Sequence, residues 1–240
     1  MIRSLRTLLA SAPLLGASFF LSHPAHAADS LGDALARLAP AADPHVIGLA
    51  VKAAECAQTQ GGQPADRLAV IDYSKPSSQP RLWVFDTVNR KLLFQELVAH
   101  GKNSGDANAT QFSNAPNSLA SSLGLFRTVD TYTGKNGYSL RMEGLEPGVN
   151  DQAMARAIVI HGAAYVNDAM ARVAGRIGRS WGCPAVRVAI ARKLIDALKG
   201  GQMVFSYYPD KRWLASSHYL KCSNGQLARA EATMVARAGG

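Results

Sequence analysis

The sequence predicts an α+β fold, mainly β, with a pair of helices on its N-terminal side. Three observations lead there. Apolar residues recur at helical spacing before residue 60 and as strand-like runs from Leu68 onward. Those runs follow one another through turns and loops, without the regular crossover helices of a doubly wound parallel sheet. One strong amphipathic helix, "AVRVAIARKLIDALKGG", interrupts them late in the chain.

The elements follow in order. Residues 1–27 carry Arg3 and Arg6, an apolar stretch and then Ala25-His26-Ala27. That is the layout of a secretory signal peptide cleaved after Ala27. Its apolar run is broken by Ser and Pro and is short for a membrane span of about 20 residues. The helical segment is expected over 28–62, with a short helix over 31–39 and a longer one opened by Asp43 as cap and Pro44 at the first helical position. Ile47, Ala50, Val51 and Ala54 form its apolar stripe, and "QGGQP" ends it. The strand-rich domain is expected over 63–210. "LAVIDYS", "RLWVFD" and "LLFQELVAHG" read as strands, the last two joined at "TVNRK" as a hairpin. "GKNSGDANATQFSNAPNS" is a long polar loop, of the kind that is functional or disordered. "SLGLFRTVDTYTG" and "GYSLRMEGL" resume the strands, "EPGVNDQAMA" is a loop or a single turn, and "AIVIHGA" is a short buried strand. The late helix follows, with Val186, Ile190, Leu194 and Leu198 on one face. "QMVFSYYP" is the last strand, and 211–240 is a tail with a helical end.

Composition narrows the function classes. The chain of 240 residues has a formal charge of +9, which becomes +7 once Arg3 and Arg6 leave with the signal peptide. A basic surface suits an anionic envelope, but there is no Lys/Arg-rich run, so a nucleic-acid partner is not expected. No later segment is long and apolar enough to span a membrane, so the mature protein is expected in the periplasm without a membrane span, as a monomer. Three cysteines in an oxidising compartment cannot all pair. Cys56 and Cys222, near the two ends, are expected to form a disulfide. Cys183 is then left as a reactive thiol.

The setting of Cys183 is unusual for a structural cysteine, since it stands between a glycine and a proline in "GRSWGCPAV". Pro184 as a first helical residue would place Cys183 at the N-cap of the late helix, where free N–H groups and the dipole favour thiolate. The N–H groups of Gly182 and Cys183 would be oxyanion donors. Ser180 and Arg179 line the approach. His161, at the end of "AIVI" and next to Gly162, is the candidate base. His100 has the same local form, strand then His-Gly, and is either a substrate-orienting or a structural residue. Zinc bound by His100, His161 and Cys183 is the rival chemistry, but no ligand spacing of the C-x-x-C or H-x-x-x-H kind supports it. No metal or other cofactor is expected.

Together, "IHGA" and "GRSWGCPAV" resemble the murein L,D-transpeptidase catalytic-domain family (YkuD type), marked by H-G, a spacer and S-x-G-C. Here these are His161-Gly162 and Ser180-Trp181-Gly182-Cys183. The resemblance is greatest to a branch with P-A-V after the cysteine and extends over about 68–209. It implies a mainly β catalytic fold of mixed sheets, and acyl transfer on peptidoglycan stem peptides through a cysteine thioester. Cys183 would be the nucleophile and His161 its base, with Gly182 and Ser180 shaping the turn. Candidates for contacting substrate are His100, Gly162, Arg179 and Trp181. Susceptibility to carbapenems is also implied. Many members carry an arginine two residues after the cysteine, where this chain has Ala185, and Arg179 or Arg187 is a candidate replacement. A backbone carbonyl, Asn150 or Asp151 would orient His161. Water in place of an amine acceptor would make the protein an L,D-carboxypeptidase. A non-catalytic envelope-binding protein is a third reading, against which the intact Cys183 and His161 weigh.

Overall fold

A computed structural model describes residues 29–222. The expected signal peptide and the helical end of the tail lie outside them. The described residues have the expected α+β, mainly sheet, class. Five α-helices accompany one eight-stranded mixed sheet, with strand order β3 (Lys91–Glu96), β2 (Leu82–Asp86), β1 (Arg67–Asp72), β8 (Met203–Tyr207), β4 (Gly124–Gly134), β5 (Gly137–Gly144), β6 (Val159–Gly162), β7 (Ala185–Val186).

Two helices come first. In α1 (Leu31–Leu38) the Ser30 side chain accepts the Asp33 N–H at the N-terminus. In α2 (Pro44–Thr59) the Asp43 carboxylate accepts from His45 N, with Pro44 at the first helical position. The buried face of α2, including Ile47, Ala50, Val51 and Ala54, packs on β1 and β8.

The sheet is built around a strand drawn from far along the chain. β1 (Arg67–Asp72) pairs with β2 (Leu82–Asp86) antiparallel and with β8 (Met203–Tyr207) parallel. β8 then joins this first group to β4 (Gly124–Gly134), β5 (Gly137–Gly144) and β6 (Val159–Gly162), each neighbouring pair antiparallel. The central strands are apolar and buried along their length, whereas β3 (Lys91–Glu96) lies at the sheet edge and alternates exposed with half-buried residues.

The strand expected to run on to Gly101 ends at Glu96. The next residues leave β3 and cross to the opposite end of the sheet. Ala99 N donates to the Ala185 carbonyl at 2.8 Å, and Arg187 makes a two-pronged pair with Glu96, both contacts at 2.8 Å. The two end strands are thereby brought together, and the cysteine turn sits where they meet.

The late helix also differs from expectation. Ala185 and Val186 form a short strand, β7, parallel to His161 and Gly162 of β6. The helix, α4 (Val188–Leu198), starts only after Arg187 and has no side-chain cap. Sheet pairing therefore claims the backbone groups that a helix beginning at Pro184 would have used. Two further helices have side-chain N-caps. α3 (Asp168–Ala174) has Asn167 accepting from Met170 N and ends on a left-handed Gly175. α5 (Lys211–Ser216) has Asp210 accepting from Trp213 N. Trp213 is buried in the core and donates from Nε1 to Glu146, so residues 211–216 belong to the packed body.

Cys56, in α2, is disulfide-bonded to Cys222, with 166 residues of separation and a Cα–Cα distance of 5.8 Å. Gln60 lies against both sulfurs. Closing so long a loop restricts the unfolded chain, an effect on the order of 3–5 kcal/mol by loop entropy. The Cys56→Ala/Cys222→Ala protein is therefore expected to lose that order of unfolding free energy in urea titration. An unchanged midpoint would remove the bridge from the account of stability.

Candidate active site

The cysteine turn is held from three sides. Ser180 Oγ donates to the Cys183 carbonyl at 2.7 Å and accepts the Gly182 N–H at 3.1 Å. The backbone of Ser180 is pinned by Ser180 N to His100 O at 2.9 Å and by Lys102 N to Ser180 O at 2.8 Å. Gly182 has φ +120°, and a Cβ there would meet the Ala120 carbonyl oxygen at 2.7 Å, so only glycine fits. Cys183 as a residue is 9% exposed. Its sulfur accepts from Val159 N at 3.5 Å and donates to Ala157 O at 3.7 Å, which seats it at the start of β6.

This geometry revises the expected oxyanion donors. The Gly182 N–H is taken by Ser180 Oγ, whereas the Cys183 N–H has no acceptor among the described residues. Cys183 is also not a helix N-cap, because β7 and Arg187 intervene before α4.

His161 stands on β6 opposite Ala185, two residues beyond Cys183 along the neighbouring strand. Its Nδ1 lies 3.0 Å from the carbonyl oxygen of Gly162. A carbonyl only accepts, so Nδ1 carries the hydrogen and Nε2 keeps its lone pair. The orienting group is thus a backbone carbonyl. Asn150 is occupied with the Leu123 and Leu125 carbonyls and with Glu146 N, and Asp151 with Asn114 and Gly148 N.

The electrostatics follow from burial. Desolvation pushes the Cys183 thiol up, opposed by the Val159 N–H and the Arg156 charge. Desolvation likewise lowers His161, opposed by its bond to Gly162 O. Both groups rest uncharged, as thiol and imidazole, at neutral pH.

His100 is fully buried and belongs to the scaffold. Arg81, also fully buried, donates from Nε and Nη2 to Val98 O, from Nη1 to Lys75 O, and from Nη2 to His100 Nδ1 at 2.7 Å. Arginine has only donors, so Nδ1 is the acceptor and His100 is neutral. Arg179 is spent on the polar loop, against Gly105 O at 3.0 Å and Asp106 at 3.3 Å. Gly162 is a packing position, since a Cβ would meet Ala191 Cβ of α4 at 2.9 Å. Trp181 is 74% exposed beside the cysteine. Arg187 pairs with Glu96 and Asp168.

Several residues around the thiol carry no local sequence signal. Arg156 comes from the turn before β6, Ser121 binds Gly182 O at 3.2 Å, and the Tyr165 phenol is pushed up to about 12, first by burial and next by Cys183. The long loop is ordered around Ser104, whose carbonyl accepts from Thr110 and Gln111 and whose hydroxyl accepts from Ser121 N. This loop encloses an open cleft of about 420 Å³, lined by its own Asn103, Gln111, Phe112, Ser113, Ser118 and Ala120. Among the described residues no three His, Cys, Asp or Glu side chains stand together as a metal site, and no helix is long and apolar enough to cross a membrane.

A family model of the L,D-transpeptidase catalytic domain matches residues 38–207. No curated protein matches the chain. Among solved structures, an L,D-transpeptidase from Mycobacterium smegmatis is 13% identical at a TM-score of 0.37, covering 60% of this chain and 59% of its own. An L,D-transpeptidase from Stackebrandtia nassauensis is 16% identical at a TM-score of 0.37, covering 74% and 90%. The chain thus spans about six tenths of the length of the mycobacterial protein. The family match, and not these partial overlaps, carries the assignment.

Burial, and next the Arg81 charge, lowers the His100 pKa to about 4. The same group titrates near 6.5 in an unfolded chain. Between these values the unfolded chain binds a proton that the folded chain refuses. The stability contribution is therefore intact above about pH 6.5 and is lost as pH falls towards 4. Thermal unfolding followed by circular dichroism is expected to show Tm declining across that window. His100→Asn keeps an acceptor for Arg81 and has nothing to titrate, so it should flatten the decline. An unaltered slope in His100→Asn would place the acid sensitivity elsewhere.

Proposed function

The chain belongs to the L,D-transpeptidase catalytic-domain family, and from that premise we propose that it is a periplasmic acyltransferase acting on peptidoglycan stem peptides through a Cys183 thioester. The observation that carries this reading is the free, buried Cys183 held next to β6 together with a His161 whose Nδ1–H is committed to Gly162 O. In the first half-reaction His161 Nε2 takes the thiol proton as sulfur attacks the carbonyl of the third stem residue. The Cys183 N–H is the donor for the oxyanion that forms, an interaction typically worth ~3 kcal/mol. Collapse expels terminal D-Ala, whose amine receives the proton from His161. In the second half-reaction an acceptor amine gives its proton to His161 and attacks the thioester, and the thiol is restored.

The resting pair of thiol and imidazole suits this sequence. The proton moves when substrate displaces water and brings a carbonyl to the sulfur, so charge develops only in the reacting complex. The exposed Trp181 and the cleft beside Ala120 are the surfaces available to the stem peptide.

Incubation with a defined tetrapeptide muropeptide, followed by mass spectrometry, tests the reading. Release of D-Ala with crosslinked dimers is the expected result. Tripeptide monomers alone would assign water as acceptor and make the protein an L,D-carboxypeptidase. A solved family structure is described as a complex with imipenem, and here a carbapenem is expected to add its mass at Cys183. Cys183→Ala should abolish the adduct, and His161→Ala should slow acylation by about 10²–10⁴-fold. Turnover that survives in Cys183→Ala would end this reading.

A further inference from the structure

Arg179 and Arg187, the arginines that flank the cysteine in sequence, are bound to carboxylates. Arg156 is placed differently. Its Nη1 donates to Ser113 O at 2.7 Å and Ser122 Oγ at 2.6 Å, and its Nη2 donates to Ala120 O at 2.6 Å and Ser118 Oγ at 3.1 Å. All four acceptors are uncharged, and all lie on the stretch of loop that abuts the cysteine turn. A Cβ on Gly182 would stand 3.3 Å from Arg156 Nη2, so the guanidinium lies against the residue that precedes Cys183. No carboxylate lies within ion-pair distance of it among the described residues.

We propose that Arg156 is a positioning residue of the cysteine site, which clamps residues 113–122 onto the cysteine turn and holds an uncompensated positive charge beside the Cys183 sulfur. The role rests on Cys183 being the nucleophile. The two parts of the function have one cause. Because the four Nη hydrogens are committed to loop oxygens, the guanidinium cannot swing to the sulfur or to substrate, and it acts on the thiolate through its field. With no helix N-terminus at Cys183, that field is the fixed positive charge available when His161 removes the proton. Cys183 is buried and the guanidinium half-buried, so water screens that field only in part. The same bonds shape the wall of the cleft at Ser113, Ser118 and Ala120, so the charge and the wall are set together.

The test is the pH dependence of iodoacetamide alkylation of the oxidised full chain, in which the disulfide leaves Cys183 as the reactive thiol. Arg156→Gln keeps amide donors but removes the charge. Its alkylation midpoint should rise by about one unit, with about tenfold slower alkylation at pH 7. Arg156→Lys retains charge but cannot bridge four acceptors. Its midpoint should stay within about a third of a unit of the parent, while turnover of the muropeptide falls. Ser122→Ala removes one clamp bond and leaves the charge, so its midpoint should not move. An unmoved midpoint in Arg156→Gln, or an equal rise in Ser122→Ala, would reduce Arg156 to a loop fastener and overturn the proposal. Should Arg156→Gln fail to fold, the lysine variant decides, because a rise of a unit or more despite the retained charge also overturns it. Alkylation needs no peptidoglycan substrate. Failure of the transpeptidase reading would therefore appear as absent turnover with the alkylation shifts intact.

Discussion

The guanidinium of Arg81 lies at the point where the sheet is drawn together. It is fully buried, and its bonds run to Val98 O, Lys75 O and His100 Nδ1. A buried cation is costly unless its donors are satisfied, and here three of its four bonds go to Val98 and His100 in the segment leaving β3. That requirement fixes the path of residues 97–100 across to β7. The His100 carbonyl then receives Ser180 N, and Lys102 N returns to Ser180 O. The cysteine turn is thus built on a segment whose course a buried charge dictates. Arg81 keeps its proton at neutral pH even though burial lowers its pKa to about 10.

From that anchor the polar loop acquires its order without an apolar core of its own. Ser104 gathers Thr110, Gln111 and Ser121 through backbone and hydroxyl bonds, and Ser121 passes the connection to Gly101 N and Gly182 O. Serine is suited to this work because one hydroxyl both donates and accepts. The composition that reads as flexible is therefore what lets the loop crosslink itself. The requirement for glycine at position 182 has the same origin, since the Ala120 carbonyl of this loop occupies the space of a side chain.

Burial also sets the chemistry of the site. Cys183 and His161 are both desolvated, in opposite senses for their charged forms, and the pair rests neutral. A thiol held neutral in this way is a weak nucleophile until its proton is removed. The backbone partner of His161 Nδ1 achieves the orientation that a carboxylate gives in Ser-His-Asp arrangements, without adding a negative charge beside Cys183.

The sequence by itself determined the helical pair, through Asp43-Pro44 and the Ile47, Ala50, Val51 and Ala54 stripe. It also determined the strands whose apolar runs are bounded by Gly, Pro and Asn, and it singled out Cys183 and His161 through a small-residue turn and a strand-end histidine. These features are local, and local chemistry writes them. Only the tertiary structure decided the rest. Ala185 and Val186 read as helix, yet β6 offers them backbone partners and takes them as a strand. Residues 97–101 read as strand, yet Arg81 and Ala185 draw them off the edge of β3. His100 and His161 share the same sequence form, strand then His-Gly, and no local pattern separates them. One meets a buried guanidinium and becomes scaffold, and the other meets the carbonyl of the next residue, Gly162, and keeps a free nitrogen. Arg156 is a single cation in a turn, and its place beside Gly182 exists only once β6 and the polar loop have packed. Partners far apart in the chain decide these positions, because hydrogen-bond satisfaction in a buried environment is settled by whichever group arrives in space, not by neighbours in sequence.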